Sequence, residues 1–427
     1  MANVYARALA LPGAWQFSGS AFIARLPLSM AGLGTVLLIS TLSGSYAEAG
    51  TVVASYGVVG ALGSIVSARL ADRWGQNRLL PILAVLETAA LLTVVALELH
   101  HAPLIATMAA AAVAGFTAPP IGSFVRARWV HVTNDPATLR SGFALESIVD
   151  EVIFTVGPLL TAWLAFTFAL PLPLYVACGL TLVGSLLLAL QRGSQPVVHH
   201  EARTRRRSAL ALPGVALVVL ASLGMGALFG ADEVTTVAFA RIAGADTATG
   251  IVLGLFAVGS MLGGLFFGAR HWHAPLARQG ALLLTALLIG IAILPWMRSV
   301  LTLTIATFVA GLLVAPCLIV LFSFAERLVP AAQLTEGLTW TSSALGIGFA
   351  IGSVCGGALV DSHGTTAGFW LCTGSVAWSL LWIVAGQRTL LAHAAPGPAP
   401  LAPISLVQEP IPGPAPGAFE DEGGPSR

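Results

Sequence analysis

Twelve apolar stretches, each long enough to cross a bilayer, leave this chain very few folds. They fall at about 14–41, 49–68, 79–99, 104–125, 142–169 and 173–191, then at about 209–239, 248–268, 279–296, 300–324, 335–359 and 366–386. A spanning helix needs about 20 apolar residues, and inside lipid each backbone N–H and C=O must find its partner within the segment. The expected fold is therefore an all-α integral membrane protein with 12 transmembrane helices. Composition supports this, with 56% hydrophobic and only 9% charged residues, where soluble domains carry about 25% charged. So sparse a charge excludes nucleic acid as a partner. The first apolar run continues into the multi-span pattern, so it reads as a retained helix rather than a cleaved signal.

The runs divide six and six. Expected units are a first six-helix bundle over 1–191, a cytoplasmic basic linker over 192–208, a second bundle over 209–390 and a disordered tail over 391–427. The linker carries Arg192, Arg203, Arg205, Arg206 and Arg207, and the tail is rich in Pro, Gly and Ala. Such a tail buries too little surface to fold. With the N-terminus placed inside, all of the 20 arginines except Arg25, Arg241 and Arg298 fall on the cytoplasmic side. The positive-inside rule then puts both termini in the cytoplasm of a plasma-membrane protein.

The halves resemble each other. Gly50, Tyr56, Val58, Leu62 and Gly63 of the second run recur in register as Gly250, Phe256, Val258, Leu262 and Gly263 of the eighth. Ala114-Gly115 followed by Pro120 recurs as Ala310-Gly311 followed by Pro316. A parallel duplication of a six-helix unit explains both, and such repeats hold a substrate site near the midplane between halves that rock about it.

Between the second and third runs stands Ala68-Arg69-Leu70-Ala71-Asp72-Arg73-Trp74-Gly75-Gln76-Asn77-Arg78. This resembles the loop signature of the major facilitator superfamily, Gly-x-Leu-Ala-Asp-Arg-x-Gly-Arg-Lys. Ala68 replaces its first glycine, and Gln76 and Asn77 replace its basic pair. The resemblance covers about residues 10–390 and implies two pseudo-symmetric six-helix bundles, working as a monomer. It also implies that Asp72, Arg73 and Gly75 form a gating loop whose charges contact neighbouring helices in the outward-facing state. The alternative is a solvated turn, in which Gly75 permits a conformation that a side chain would strain. Gly157-Pro158 in the fifth run resembles the core of a motif associated with antiporters, without its flanking glycines. It also reads simply as a helix kink.

Charge inside a span is costly unless paired or facing water, which makes each such residue a candidate. Arg25 lies near mid-depth of the first run. Glu146, Asp150 and Glu151 lie on the fifth, where Glu146 and Asp150, four apart, share a face. Asp232 and Glu233 lie in the outer half of the seventh. A buried arginine needs an anionic partner, and the family resemblance makes helices one and five neighbours, so Asp150 is the first expectation for Arg25. These acids are candidates for proton coupling or substrate contact, the alternative being a static ion pair. Glu146 is also open to a reading as solvated near the cytoplasm, and Asp232 and Glu233 to one as outer-vestibule residues. Glu87 is expected to pair with a loop arginine.

No cofactor or metal is expected. Cys178, Cys317, Cys355 and Cys372 are widely spaced without a CxxC pair, and the histidine pairs lack carboxylates at ligand spacing. No clustered nucleophile and base suggests an enzyme, and no phosphate-binding loop suggests ATP. The resulting expectation is a secondary transporter of bacterial efflux type, a proton-coupled antiporter exporting a small amphipathic molecule. Its partners would be that substrate, protons or another coupling ion, and the lipid bilayer. Uptake or uniport of a small nutrient is the first alternative. A membrane enzyme or receptor on the same scaffold is the second.

Overall fold

The computed structural model describes residue 6 and residues 8–133, 135–196, 210, 212–270, 272, 274–329 and 334–387. The linker arginines from Arg203 to Arg207, the tail beyond 390 and the Asp72 side chain lie outside the described residues. Among the described residues, twelve helices are long and apolar enough to span a membrane. They are Ala14–Leu42, Tyr46–Ala71, Gln76–Leu99, Leu104–Val132, Ser141–Thr167, Leu172–Leu190, Gly214–Ile242, Ala248–Gly268, Leu276–Trp296, Val300–Leu328, Gly337–His363 and Thr365–Ala385. They are called the first to twelfth spans below.

Several spans run past the apolar stretches that announce them. The second continues to Ala71, the fourth to Val132 and the tenth to Leu328. Backbone hydrogen bonding does not stop where the hydrocarbon does, and charged side chains such as Arg69 and Arg327 extend outward from the extra turns. The fourth and tenth spans are also broken, which hydropathy alone does not reveal. The fourth consists of Leu104–Thr117 and Ile121–Val132, and the tenth of Val300–Gly311 and Val314–Leu328. Pro119 and Pro120 bring no N–H to the first break, and Pro316 lacks the N–H that the Leu312 carbonyl would accept in the second.

Within the first six spans, the first packs on the fifth and sixth, the second on the fourth, and the third on the fourth and sixth. Within the last six, the seventh packs on the eleventh and twelfth, the eighth on the tenth, and the ninth on the twelfth. The two sets meet chiefly where the second span lies on the eleventh and the fifth on the eighth.

The recurring glycines occupy matching crossings. A Cβ on Gly115 would stand 2.0 Å from the Tyr56 carbonyl oxygen, and one on Gly311 would stand 2.4 Å from that of Phe256. A Cβ on Gly63 would stand 2.1 Å from Phe116 O, and one on Gly263 would stand 1.8 Å from Leu312 O. Bare backbone lets the second and fourth spans, and again the eighth and tenth, approach closely enough to pack without a hydrophobic driving force.

Contact between the halves gathers toward one end, which carries the joins between the first and second, seventh and eighth, and eleventh and twelfth spans. Val36, Tyr46, Val52, Val53, Val234, Val237, Leu253 and Val360 form one buried apolar cluster there. A Cβ on Gly50 would stand 2.2 Å from Ser353 O, and one on Gly357 would stand 2.2 Å from Tyr46 O.

Candidate functional site

The first and fifth spans, with the fourth, bring charged side chains together inside the bundle. Ser18 and Arg25 lie seven residues apart, two turns on one face of the first span, and Ser29 continues the same stripe. That face meets the fifth span. There Arg25, 3% exposed, hydrogen-bonds Glu146 through Nη2 and donates from Nη1 to Asp150 Oδ1 at 2.7 Å. Arg25 is thus paired as the sequence suggests, but with two carboxylates rather than one.

Glu146 is fully buried, which corrects its reading as a solvated vestibule residue. Its Oε1 accepts from Ser18 Oγ at 2.7 Å and from Trp129 Nε1 at 2.9 Å, while Oε2 takes Arg25. Three donors compensate what would otherwise be a prohibitive charge burial. Gly142 makes this possible: a Cβ there would stand 2.6 Å from the Trp129 ring. Asp150 is part-exposed and bridges two cations, since Arg126 Nη2 reaches its Oδ2 at 2.9 Å. The group is a closed network of two arginines and two carboxylates.

Glu151, next in sequence, stays out of this network. Its carboxylate makes no hydrogen bond or ion pair among the described residues. Its backbone carbonyl accepts from Thr155 Oγ at 2.8 Å, one turn along. Thr155 lies on the face toward the eighth span, its carbonyl 3.3 Å from where a Gly254 Cβ would stand. Glu151 therefore sits half-buried on the side of the fifth span that faces the other half.

Asp232 and Glu233 on the seventh span form no ion pair among the described residues. Asp232 is buried, which corrects its reading as a vestibule residue, and its Oδ1 has no partner. Glu233 Oε1 likewise has none and lies 3.5 Å from where a Gly32 Cβ would stand, facing the first span across the boundary between halves. Glu87 does not meet a loop arginine. It is buried, and the Tyr56 hydroxyl donates to its Oε1 at 2.9 Å.

In the fifth span the helix runs unbroken through Pro158. A Cβ on Gly157 would collide with Ser29 Oγ at 1.8 Å, while the Pro158 carbonyl lies 2.7 Å from where a Gly250 Cβ would stand. The Gly157-Pro158 pair thus lets one helix touch the first span and the eighth at the same level.

In the loop between the second and third spans, Gly75 has φ +82° and both ends one helix and begins the next. A Cβ there would stand 2.6 Å from Gln195 Nε2, and the Gln195 side chain in turn accepts from the Asn77 amide at 2.8 Å. Arg73 is exposed and makes no ion pair among the described residues. Arg128, which sequence reasoning counts as a loop charge, is fully buried. It donates to the Leu188 and Gln191 carbonyls at 2.9 and 3.0 Å, to Ser194 Oγ at 2.9 Å and to Gln76 Oε1 at 2.8 Å. A cation on the last carbonyls of the sixth span is favoured by the helix dipole, and it fastens the first linker residues to the loop.

At the sealed end two charges from the second half close on helix termini of the first. Asp361 accepts from the Tyr46 and Ala47 amides at 3.0 and 2.8 Å and from Ser45 Oγ at 2.8 Å. Arg241 donates to the Ser40 carbonyl at 2.8 Å, hydrogen-bonds Thr41 and lies 5.9 Å from the Tyr46 ring centroid.

This architecture has close counterparts among solved structures. A mutant of the nucleoside transporter NupG superposes with a TM-score of 0.69 at 16% identity, over 90% of this chain and 100% of that one. A POT family transporter in complex with 5-aminolevulinic acid gives 0.65 at 15%, over 89% and 97%. A mutant of the peptide transporter POT gives 0.65 at 14%, over 90% and 96%. No curated protein matches the chain by sequence. The profile described as Major Facilitator Superfamily matches residues 17–276, more than half of the chain. Twelve spans with this packing and that profile make the protein a membrane transporter, and the chain belongs to the Major Facilitator Superfamily.

Proposed function

We propose that the protein is a proton-coupled secondary transporter that exports a small amphipathic molecule by alternating access. The observation that carries this reading is the pair of unpartnered carboxylates on opposite sides of the boundary between halves, Glu151 on the fifth span and Glu233 on the seventh. An unpaired carboxylate in a low-dielectric site is costly when ionised. Binding a proton, or the positive charge of a substrate, removes that cost, and the exchange of one for the other is antiport. Asp150 adds a second exchange point, because Arg126 is half-exposed and is the partner a cationic substrate would displace. Arg25 and Glu146 hold the fifth span in place behind it.

In this reading 1–191 and 209–390 are the moving units, with the 192–208 linker between them. The arginine distribution supports cytoplasmic termini, and the protein works as a monomer in the plasma membrane. The sealed end then faces outward and the Asp72-Arg73-Gly75 loop faces inward, so the structure is an inward-facing state. Arg73, idle here, would make its gating contacts after the halves rock to close the inner end.

A second reading, uptake of a nutrient, draws support from the nucleoside and peptide transporters among the structural neighbours. Liposomes with an acidic lumen and a trapped pH dye separate the two. Lipophilic cations, dyes, antibiotics, sugars, nucleosides and dipeptides are added in turn. Export by antiport predicts lumenal alkalinisation with at least one amphipathic compound and none in empty liposomes. Radiolabelled solute that crosses without moving protons would overturn the coupling, and flux confined to nucleosides or dipeptides would favour uptake.

A further inference from the structure

Glu87 takes no part in the network described above, yet it is a carboxyl in the middle of a span. It is 4% exposed, and among the described residues its one hydrogen-bond partner is the Tyr56 phenol at 2.9 Å. A single neutral donor does not compensate an ionised carboxylate in lipid, where Glu146 has three donors including a guanidinium. The groups packed around Glu87 supply no cation. The second span presents Tyr56 and the sixth presents Cys178, whose thiol donates weakly to the Thr88 carbonyl at 3.9 Å. On the first and fourth spans, Arg25 and Arg126 are committed to Glu146 and Asp150, Arg128 to backbone carbonyls, and His131 is exposed beyond them.

The duplicated half shows that the fold does not require this pair. Phe256 stands where Tyr56 stands and makes the same crossing with the tenth span that Tyr56 makes with the fourth. It packs in an apolar cluster that includes Leu284 and Leu287 of the ninth span. The architecture is thus stable with hydrocarbon at this place, and the first half has instead installed a carboxyl and a phenol.

A second observation connects the pair to the boundary between halves. Tyr56, Thr35 and Gly32 line a void of about 10 Å³ between the first four spans, close to the least volume that admits one water. Thr35 is 6% exposed and its hydroxyl has no partner among the described residues. The unpartnered Glu233 Oε1 lies 3.5 Å from where a Cβ on this same Gly32 would stand.

We propose that Glu87 is a second proton-binding site of the transporter, reached from Glu233 across the boundary by way of Thr35, one water in this void and the Tyr56 hydroxyl. The transfer is a relay: Glu233 gives up a proton, the Thr35 hydroxyl, the water and the phenol each accept one and pass one on, and Glu87 becomes a neutral acid. The site's use in transport rests on the proton-coupled reading above, whereas its occupancy does not.

Infrared difference spectra of the full-length protein in lipid nanodiscs, between acidic and alkaline buffer, read it without any substrate. A protonated-carboxyl C=O band is expected that is lost in Glu87→Gln and shifts to higher frequency in Tyr56→Phe, where the hydrogen bond to the carboxyl is removed. Thr35→Val keeps the volume and should leave the band in place, while slowing its rise after a rapid drop in pH about tenfold, the value of one good hydrogen bond. A Glu87→Gln spectrum identical to the unsubstituted protein, or a band indifferent to Tyr56→Phe, overturns the site. An unslowed rise in Thr35→Val overturns the route. A band that behaves as expected in a protein that moves no protons in liposomes would sustain the site and remove the coupling reading instead.

Discussion

Asp361, at the end of the eleventh span, places its carboxylate 3.0 Å from the backbone amide of Tyr46 in the opposite half. An anion at a helix N-terminus is favoured by the dipole and by the unpaired amides of the first turn. Arg241 answers it by holding the Ser40 carbonyl near the C-terminus of the first span. The two charges thus clasp both sides of the join between the first and second spans.

Asp361→Ala should loosen that end. At an exposed site the interaction is worth about 1 kcal/mol, a change of roughly fivefold in the balance of closed and open forms. Spin labels at Gly44 and Ala245 read the separation of the two joins by pulsed electron resonance. The longer-distance population should grow in Asp361→Ala, and an unchanged distribution would mean that the apolar cluster alone seals this end.

Arg25→Ala should cost far more than Asp150→Asn. Removing the guanidinium leaves Glu146 charged and fully buried, a loss of about 3–5 kcal/mol. Asp150→Asn leaves a part-exposed amide beside two arginines and should cost about 1 kcal/mol. Thermal unfolding in detergent, followed by size-exclusion chromatography, ranks the two. Equal stability would deny the Arg25–Glu146 pair its role as the anchor of the fifth span.

The paired crossings predict paired sensitivity. Gly115→Ala and Gly311→Ala each force a methyl against a carbonyl oxygen, and overpacking of this kind costs about 1–3 kcal/mol. Gly374→Ala, where a Cβ meets nothing within 4 Å, should be near neutral. Yields of monodisperse protein for the three variants test this directly. Tolerance at Gly311 with intolerance at Gly115 would show that the two halves do not use their repeated glycines alike.

Much of this was readable beforehand, for identifiable reasons. Lipid forces backbone bonding within each segment, so the apolar runs announced the twelve spans. The spacing of Gly115 and Pro120 against Gly311 and Pro316 announced the repeated crossings, because only bare backbone permits them. Arg25 demanded an acid and found Asp150. What escaped was rotational. A span apolar all round carries no stripe to say which face is buried, so Arg126 and Arg128 read as loop charges, although one closes the ion network and the other is fully buried. For the same reason Glu146 looked accessible, Glu87 was assigned an arginine instead of Tyr56, and Glu151 was grouped with Glu146 and Asp150 although it stays out of their network. Trp129 gave one usable signal, standing three residues from Arg126 on the same helical face.

Glu151 tests the central claim most directly. Inverted vesicles containing the protein are given an acidic lumen, and the accumulation of a transported compound is compared with its exchange between labelled and unlabelled pools. Glu151→Gln is predicted to abolish accumulation driven by the pH gradient while preserving exchange, since the substrate path survives when the coupling proton has no site. Accumulation at the level of the unsubstituted protein would contradict the account.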